Sequence, residues 1–161
     1  MASTLPSRPR QNGPRRTIAI VSSTYHEEYA KGLLDHARRE LEDIAPGTRT
    51  IVHEVPGAFE IPLVVQAVAE GGEVDAVIAF GLLLEGQTVH AKLISESVTQ
   101  ALMQIGLRTG VPVIHEVLVV QNEGQARARC LEDELNRGTE AARVAMRMAQ
   151  VMEAFPRRTA R

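Results

Sequence analysis

Residues Asp75–His90 read DAVIAFGLLLEGQTVH, and this stretch decides the fold. Its first ten residues, Asp75–Leu84, are an almost continuous apolar run, the pattern of a central strand buried on both faces in a parallel sheet. The run ends in a small-residue loop, and a helical pattern starts near Val89 and continues to Thr109. Ile94, Val98, Ala101, Leu102 and Ile105 form one stripe of that helix, and Gly110 closes it. A strand feeding a helix through a short loop is half of a βαβ unit. The polar residues Thr88 and His90 fall where helix N–H groups lack intrahelical partners, a geometry that receives anions. A neutral imidazole in that first turn can act as a base, so phosphate chemistry with proton transfer is the first chemistry the stretch suggests.

The flanking sequence repeats the alternation. Thr17–Ser23 is a short β-branched strand, and Glu27–Ile44 a helix with Ala30, Leu34, Ala37, Leu41 and Ile44 on one stripe, ended by Pro46-Gly47. Thr48–Val55 is a second strand, broken at Pro56-Gly57, and Ile61–Glu70 a helix with Pro62 in its first turn. Val111–Val120 is the fourth strand, followed by helical patterns over Glu123–Leu131 and Gly138–Ala154. Strands separated by helices imply right-handed crossovers and an α/β fold, a parallel sheet covered on both faces. Ligands bind such sheets at the carboxyl ends of the strands. Three of those ends hold the unusual residues: Tyr25-His26, Pro56–Glu60 and Glu85–His90.

Bulk properties set the class. The 161 residues suit one domain with a real core, and 44% hydrophobic content is ordinary for a globular protein. No apolar run approaches the roughly 20 residues that span a bilayer, and the N-terminus lacks the apolar segment of a secretory signal. The single Cys130 excludes an internal disulfide framework, and no Cys/His cluster has metal-ligand spacing. A cytoplasmic location is expected. Of the 18 basic residues, seven sit at the two ends, leaving 11 against 20 acids over residues 17–156, a net of −9. Residues 1–16 are read as a basic, proline-containing flexible arm, 17–156 as a single domain, and 157–161 as a basic tail. Solvated ends are the expected role of both tails.

Each constellation has a chemical and a bland reading. Tyr25, at a strand-to-helix turn, can stack on a planar ligand or pack on its own helix. Glu60, after Pro56-Gly57, can accept hydrogen bonds from ligand hydroxyls or simply favour a helix start. Gly86 and the N–H groups after it can face an anion, with Thr88 capping or binding. Arg127 and Arg129 lie two apart on a helix, so at most one reaches a given phosphate. His115-Glu116, inside an apolar strand, must be satisfied or lie at a subunit boundary. His36 and His53 are read as surface residues.

Taken together, VPGAFEIP at 55–62, G-x-x-x-x-G-Q-T-V-H at 81–90, GVPVI at 110–114, NEGQARAR at 122–129 and NRG at 136–138 resemble the lumazine synthase family of riboflavin biosynthesis. The resemblance runs from about Thr17 to Ala154. It implies a flavodoxin-like three-layer sandwich with a four-stranded parallel sheet, assembled at least as a pentamer with sites between subunits. It also implies condensation of 5-amino-6-(D-ribitylamino)uracil with 3,4-dihydroxy-2-butanone 4-phosphate, without metal or organic cofactor, membrane or nucleic acid. By position, Tyr25 would stack on the pyrimidine, and Ala58, Phe59 and Glu60 would hold the ribityl chain and ring edge. Leu82, Leu83 and Leu84 lead into the phosphate loop of Gly86, Gln87 and Thr88. His90 would carry protons and Arg129, from across the boundary, would bind phosphate. Arg137 stands for a family lysine near the site, and His115 for a phenylalanine.

The match has departures. Glu85 replaces a common basic residue, Ala91 and Lys92 an aromatic-acidic pair, His115-Glu116 a Phe-Gly and Val119-Val120 a Thr-rich pair. Two readings of the same fold follow, a working lumazine synthase and a non-catalytic ligand-binding or shell protein. A flavodoxin-like FMN carrier is a third. The segment between Arg129 and Asn136 lacks the insertion of strictly pentameric fungal members, which permits larger assemblies.

Overall fold

The computed structural model describes residues 4–10, 13–86 and 89–156. Gln87, Thr88 and the basic tail at 157–161 therefore lie outside the described residues. In chain order the elements are β1 (Thr17–Ser23), α1 (Glu27–Ile44), β2 (Arg49–Val55), a 3₁₀ turn at Ala58–Glu60, α2 (Ile61–Glu70), β3 (Ala76–Leu84), α3 (His90–Thr109), β4 (Val113–Val120), α4 (Glu123–Cys130) and α5 (Arg137–Met152). The four strands form one parallel sheet in the order β2-β1-β3-β4. The chain leaves β1 towards β2 and returns on its other side to β3. The carboxyl ends of β1 and β3 therefore flank a topological switch point, the place where such sheets bind ligands.

Strand alternation divides the core into two layers. Ile18, Ile20, Ile78 and Phe80 pack with Leu33, Leu41, Ala145 and Met146 under α1 and α5. Ala19, Val21, Val77 and Ala79 pack with Ile61, Val65, Val98 and Leu102 under α2 and α3. This is the three-layer α/β sandwich expected from the alternating pattern. Element limits follow from local chemistry. Asn122 Oδ1 accepts from Gln125 N at 2.9 Å and opens α4; Asn136 Oδ1, fully buried, accepts from Gly138 N at 2.9 Å and Thr139 N at 3.3 Å and opens α5. Gly110, at φ 73°, closes α3. Asp75 lies just outside β3, and its Oδ2 accepts from Thr17 N at 2.7 Å, holding the amino ends of β1 and β3 together.

Two sequence expectations are corrected on α1. Its buried face runs through Ala30, Leu33, His36, Ala37, Glu40, Leu41 and Ile44, so the stripe read from the sequence holds except at Leu34, which is only partly buried. His36 is thus not a surface residue: it is 9% exposed, and its ring nitrogens face Gly32 O at 2.9 Å and Asp133 Oδ1 at 3.0 Å. Its position, three residues after Leu33, turns it under the α4–α5 connection.

The described residues before β1, 4–10 and 13–16, run without regular secondary structure against α1 and α5. Arg8 donates to Glu40 at 2.8 and 2.9 Å, Arg143 donates to Glu40 at 2.7 Å and to Pro6 O at 2.7 Å, and Gln150 donates to Arg10 O at 2.8 Å. Burial pushes the Glu40 carboxyl up, but the hydrogen bonds and charges of Arg8 and Arg143 outweigh it and hold it below the usual range. A carboxyl whose folded pKa is depressed stabilises the fold above its unfolded pKa, and that stabilisation is lost as pH falls through the folded value. Glu40→Gln is expected to cost about 2–3 kcal/mol near pH 7, because it strips a mostly buried arginine of its partner. Denaturant unfolding from pH 7 to pH 3 should show the two proteins converging in acid; a gap that persists there would contradict this account.

Candidate active site

The carboxyl end of the sheet gathers one group of candidate residues. Thr24 N donates to Val55 O at 2.8 Å and Tyr25 N to Pro56 O at 3.2 Å, lashing the turn after β1 to the loop after β2. His26 begins α1 in the left-handed conformation at φ 59°, uncommon for a residue with a side chain and frequent where function requires it. Its ring lies 4.7 Å from that of Tyr25, edge to face, and the Tyr25 ring is 68% exposed. Tyr25 therefore does not pack under its own helix; it offers an aromatic surface.

Across the loop, Ala58 is buried while Phe59 is 63% exposed and Glu60 is exposed. The Glu60 carboxylate folds back over Gly57, where a methyl group would come within 2.9 Å of Oε2. Glycine at 57 thus lets Glu60 reach back along the ledge.

On the far side of the switch point, Glu85 N donates to Val120 O at 2.8 Å and fixes the exit from β3. Leu82 is buried in the α1–α5 layer, so only its backbone faces the ledge, whereas Leu83 and Leu84 are half-buried. Glu85 and Gly86 are exposed, and His90 is the exposed first residue of α3. The residue before it, Val89, takes the cap position and supplies no side-chain acceptor to the first-turn N–H groups. These groups point to the same end of the sheet as Tyr25 and Glu60.

A second group surrounds the edge strand β4. His115 is half-buried on the α3 side, with Nε2 2.8 Å from Thr99 Oγ1, and burial holds its pKa below the ordinary value. Glu116 lies on the opposite face beside Arg137 and Glu140, which are ion-paired at the start of α5. Arg129 is half-buried on α4 and donates from Nη1 to its own helix at Gln125 O, 3.3 Å. Of the pair read as unexpected in a strand, His115 is thus satisfied from α3, while Glu116 faces the charges of α5. Its environment depends on which helices cover β4, and no local spacing carries that.

A cavity of about 310 Å³ opens at the other end of the sheet, between Arg15, Arg16 and the Pro46–Thr48 turn. None of the candidate residues lines it. At the carboxyl end the described residues form an open ledge instead, with three large apolar side chains, Tyr25, Phe59 and Val89, mostly exposed.

Known proteins resemble the chain over nearly its whole folded body. The family model for 6,7-dimethyl-8-ribityllumazine synthase matches residues 15–153. A 6,7-dimethyl-8-ribityllumazine synthase of Azoarcus sp. (strain BH72) is 36% identical over 143 residues, covering 88% of this chain and 89% of that protein. Proteins of the same name from Paraburkholderia phytofirmans and Paraburkholderia xenovorans are each 38% identical over 148 residues, covering 91% of this chain and 86% of theirs. With the switch-point ledge, the sheet order and a match over nearly all of the folded body, the chain belongs to the 6,7-dimethyl-8-ribityllumazine synthase family.

Proposed function

We propose that the chain condenses 5-amino-6-(D-ribitylamino)uracil with 3,4-dihydroxy-2-butanone 4-phosphate to 6,7-dimethyl-8-ribityllumazine, releasing phosphate and water. The observation that carries this is the convergence of Tyr25, Ala58–Glu60, Gly86 and His90 on one ledge within a chain of this family. The uracil amine attacks the butanone carbonyl, water leaves to give an imine, phosphate is eliminated, and a second condensation closes the ring. Each step moves a proton, and His90 is assigned as the carrier. Tyr25 stacks on the pyrimidine, Glu60 and the backbone around Ala58 hold the ribityl hydroxyls, and the loop at Gly86–Thr88 cradles the phosphate. Holding two substrates in register supplies much of the remaining acceleration.

Arg129, Arg137 and His115 are assigned to the same site from a neighbouring subunit. Support comes from their grouping around β4, apart from the ledge, and from aromatic surface on the ledge that a neighbour would cover. Leu63 on α2 and Leu93, Met103 and Leu107 on α3 are more than half exposed, apolar surface suited to that contact.

The test is product formation, followed by absorbance and fluorescence with phosphate release in step, corrected for the uncatalysed condensation. Protein-dependent lumazine with matching phosphate is expected; a folded oligomer giving no acceleration would overturn the reading. His90→Ala should slow turnover by roughly 10²-fold or less, because substrate positioning survives loss of the proton carrier. An unchanged rate removes that role from His90.

A further inference from the structure

Among the described residues His26 alone combines a side chain with a left-handed backbone, at φ 59° and ψ 54°. The chain turns there into α1, and the His26 carbonyl accepts from Tyr29 N at 3.0 Å and Ala30 N at 3.1 Å. Asparagine and aspartate suit such a bend, and their short side chains also cap the helix that follows. Histidine tolerates the bend but here leaves the cap unmade, since its side chain makes no hydrogen bond to the first-turn N–H groups. What histidine adds, alone among the residues enriched in that conformation, is an aromatic ring.

That ring meets Tyr25. The turn that carries Tyr25 is fixed at its backbone, by Thr24 N to Val55 O at 2.8 Å and Tyr25 N to Pro56 O at 3.2 Å, yet the tyrosine is 68% exposed. An exposed side chain with free torsions changes rotamer on the picosecond to nanosecond scale. The half-buried His26 ring stands 4.7 Å from the Tyr25 ring at 75°, the edge-to-face arrangement that aromatic pairs prefer. The strained residue and its exposed neighbour thus have one explanation in common, a brace on the tyrosine.

We propose that His26 is a positioning residue for Tyr25, whose ring it holds in one orientation before substrate arrives. The pyrimidine then stacks without first ordering that ring, and a side chain already held avoids the loss of freedom that weakens binding. The uracil feels the removal of the brace, whereas the butanone phosphate, bound at the loop after β3, does not. This inference rests on the assignment of Tyr25 to the pyrimidine.

The test is His26→Asn, which suits the left-handed backbone, can cap α1 and carries no ring. The chain has two tyrosines, Tyr25 and Tyr29, and no tryptophan. In a Tyr29→Phe background the fluorescence anisotropy decay of the assembled, substrate-free protein therefore reports the motion of Tyr25 alone. Its fast-decaying share should rise when His26→Asn is added, and an unchanged decay would overturn the brace. In steady-state kinetics His26→Asn should raise the KM for the uracil about three- to tenfold, the scale of an edge-to-face ring pair, and leave the KM for butanone phosphate unchanged. In a Tyr25→Ala background the same substitution should change neither KM, because no ring is left to hold. An equal rise for both substrates, or a rise that persists without Tyr25, would overturn the role of His26. Lumazine formation by none of these proteins, wild type included, would instead sink the functional reading, and the anisotropy would still decide whether His26 holds the ring.

Discussion

Gly138→Ala is expected to cost the fold about 3 kcal/mol or more, a large share of the stability of an ordinary domain. A methyl group at 138 would stand 2.1 Å from the carbonyl oxygen of Leu33 and 2.9 Å from its carbon, both backbone atoms of α1 that cannot turn aside. It would also crowd Asn136 Oδ1 at 3.0 Å, the cap that holds the first N–H groups of α5. Relief requires α5 to withdraw from α1, which opens the layer containing Leu33, Ala141 and Ala145. Gly86→Ala is the matched control, since no atom of the described residues lies within 4 Å of the added atom. Chemical denaturation should show a large fall in midpoint for the first variant and almost none for the second. Equal, small shifts would mean that α1 and α5 are not in contact at Gly138.

Arg129→Ala is expected to lower kcat/KM for the butanone phosphate by roughly 10²-fold, the scale of losing a charge-assisted hydrogen bond to phosphate. The effect should fall far more on the KM of that substrate than on that of the uracil. Among the described residues Arg129 is held by Gln125 O at 3.3 Å and pairs with no carboxylate, and it is half-buried, so its removal leaves no described buried acid unpaired and the fold should survive. Steady-state kinetics with each substrate varied in turn decides the matter. Equal effects on both KM values would remove Arg129 from the phosphate and give it a general structural role.

The parts of the fold carried by local pattern were legible in the sequence. Thr17–Ser23, Glu27–Ile44 and Ile61–Glu70 occur with the limits their periodicity and breakers imply. The other limits shift by one or two residues, as at β3, which begins at Ala76 with the Asp75 carboxylate accepting from Thr17 N at the start of β1. His36 reads as a surface residue in the sequence, yet it and Glu40 are buried, and their polar partners Asp133 and Arg143 lie about 100 residues away. The same separation hid the close approach at Gly138. For the candidate site, the segments at 25–26, 56–60 and 85–90 could be placed at strand ends from the sequence, and the sheet order makes those ends neighbours. The surroundings of Glu116 could not be read, because an acid in a strand is explained only by the helices that happen to cover it.

Co-expression of two impaired chains, assayed at limiting butanone phosphate, tests the shared site most directly. One chain carries His90→Ala and the other Arg129→Ala, and mixed assemblies are assayed for lumazine. If each site takes His90 from one subunit and Arg129 from its neighbour, about a quarter of the interfaces in a random equal mixture are intact. The mixture should then recover about a quarter of wild-type turnover, well above either variant alone. Turnover no higher than the mean of the two variants, in verified mixed oligomers, would contradict a site built from two subunits.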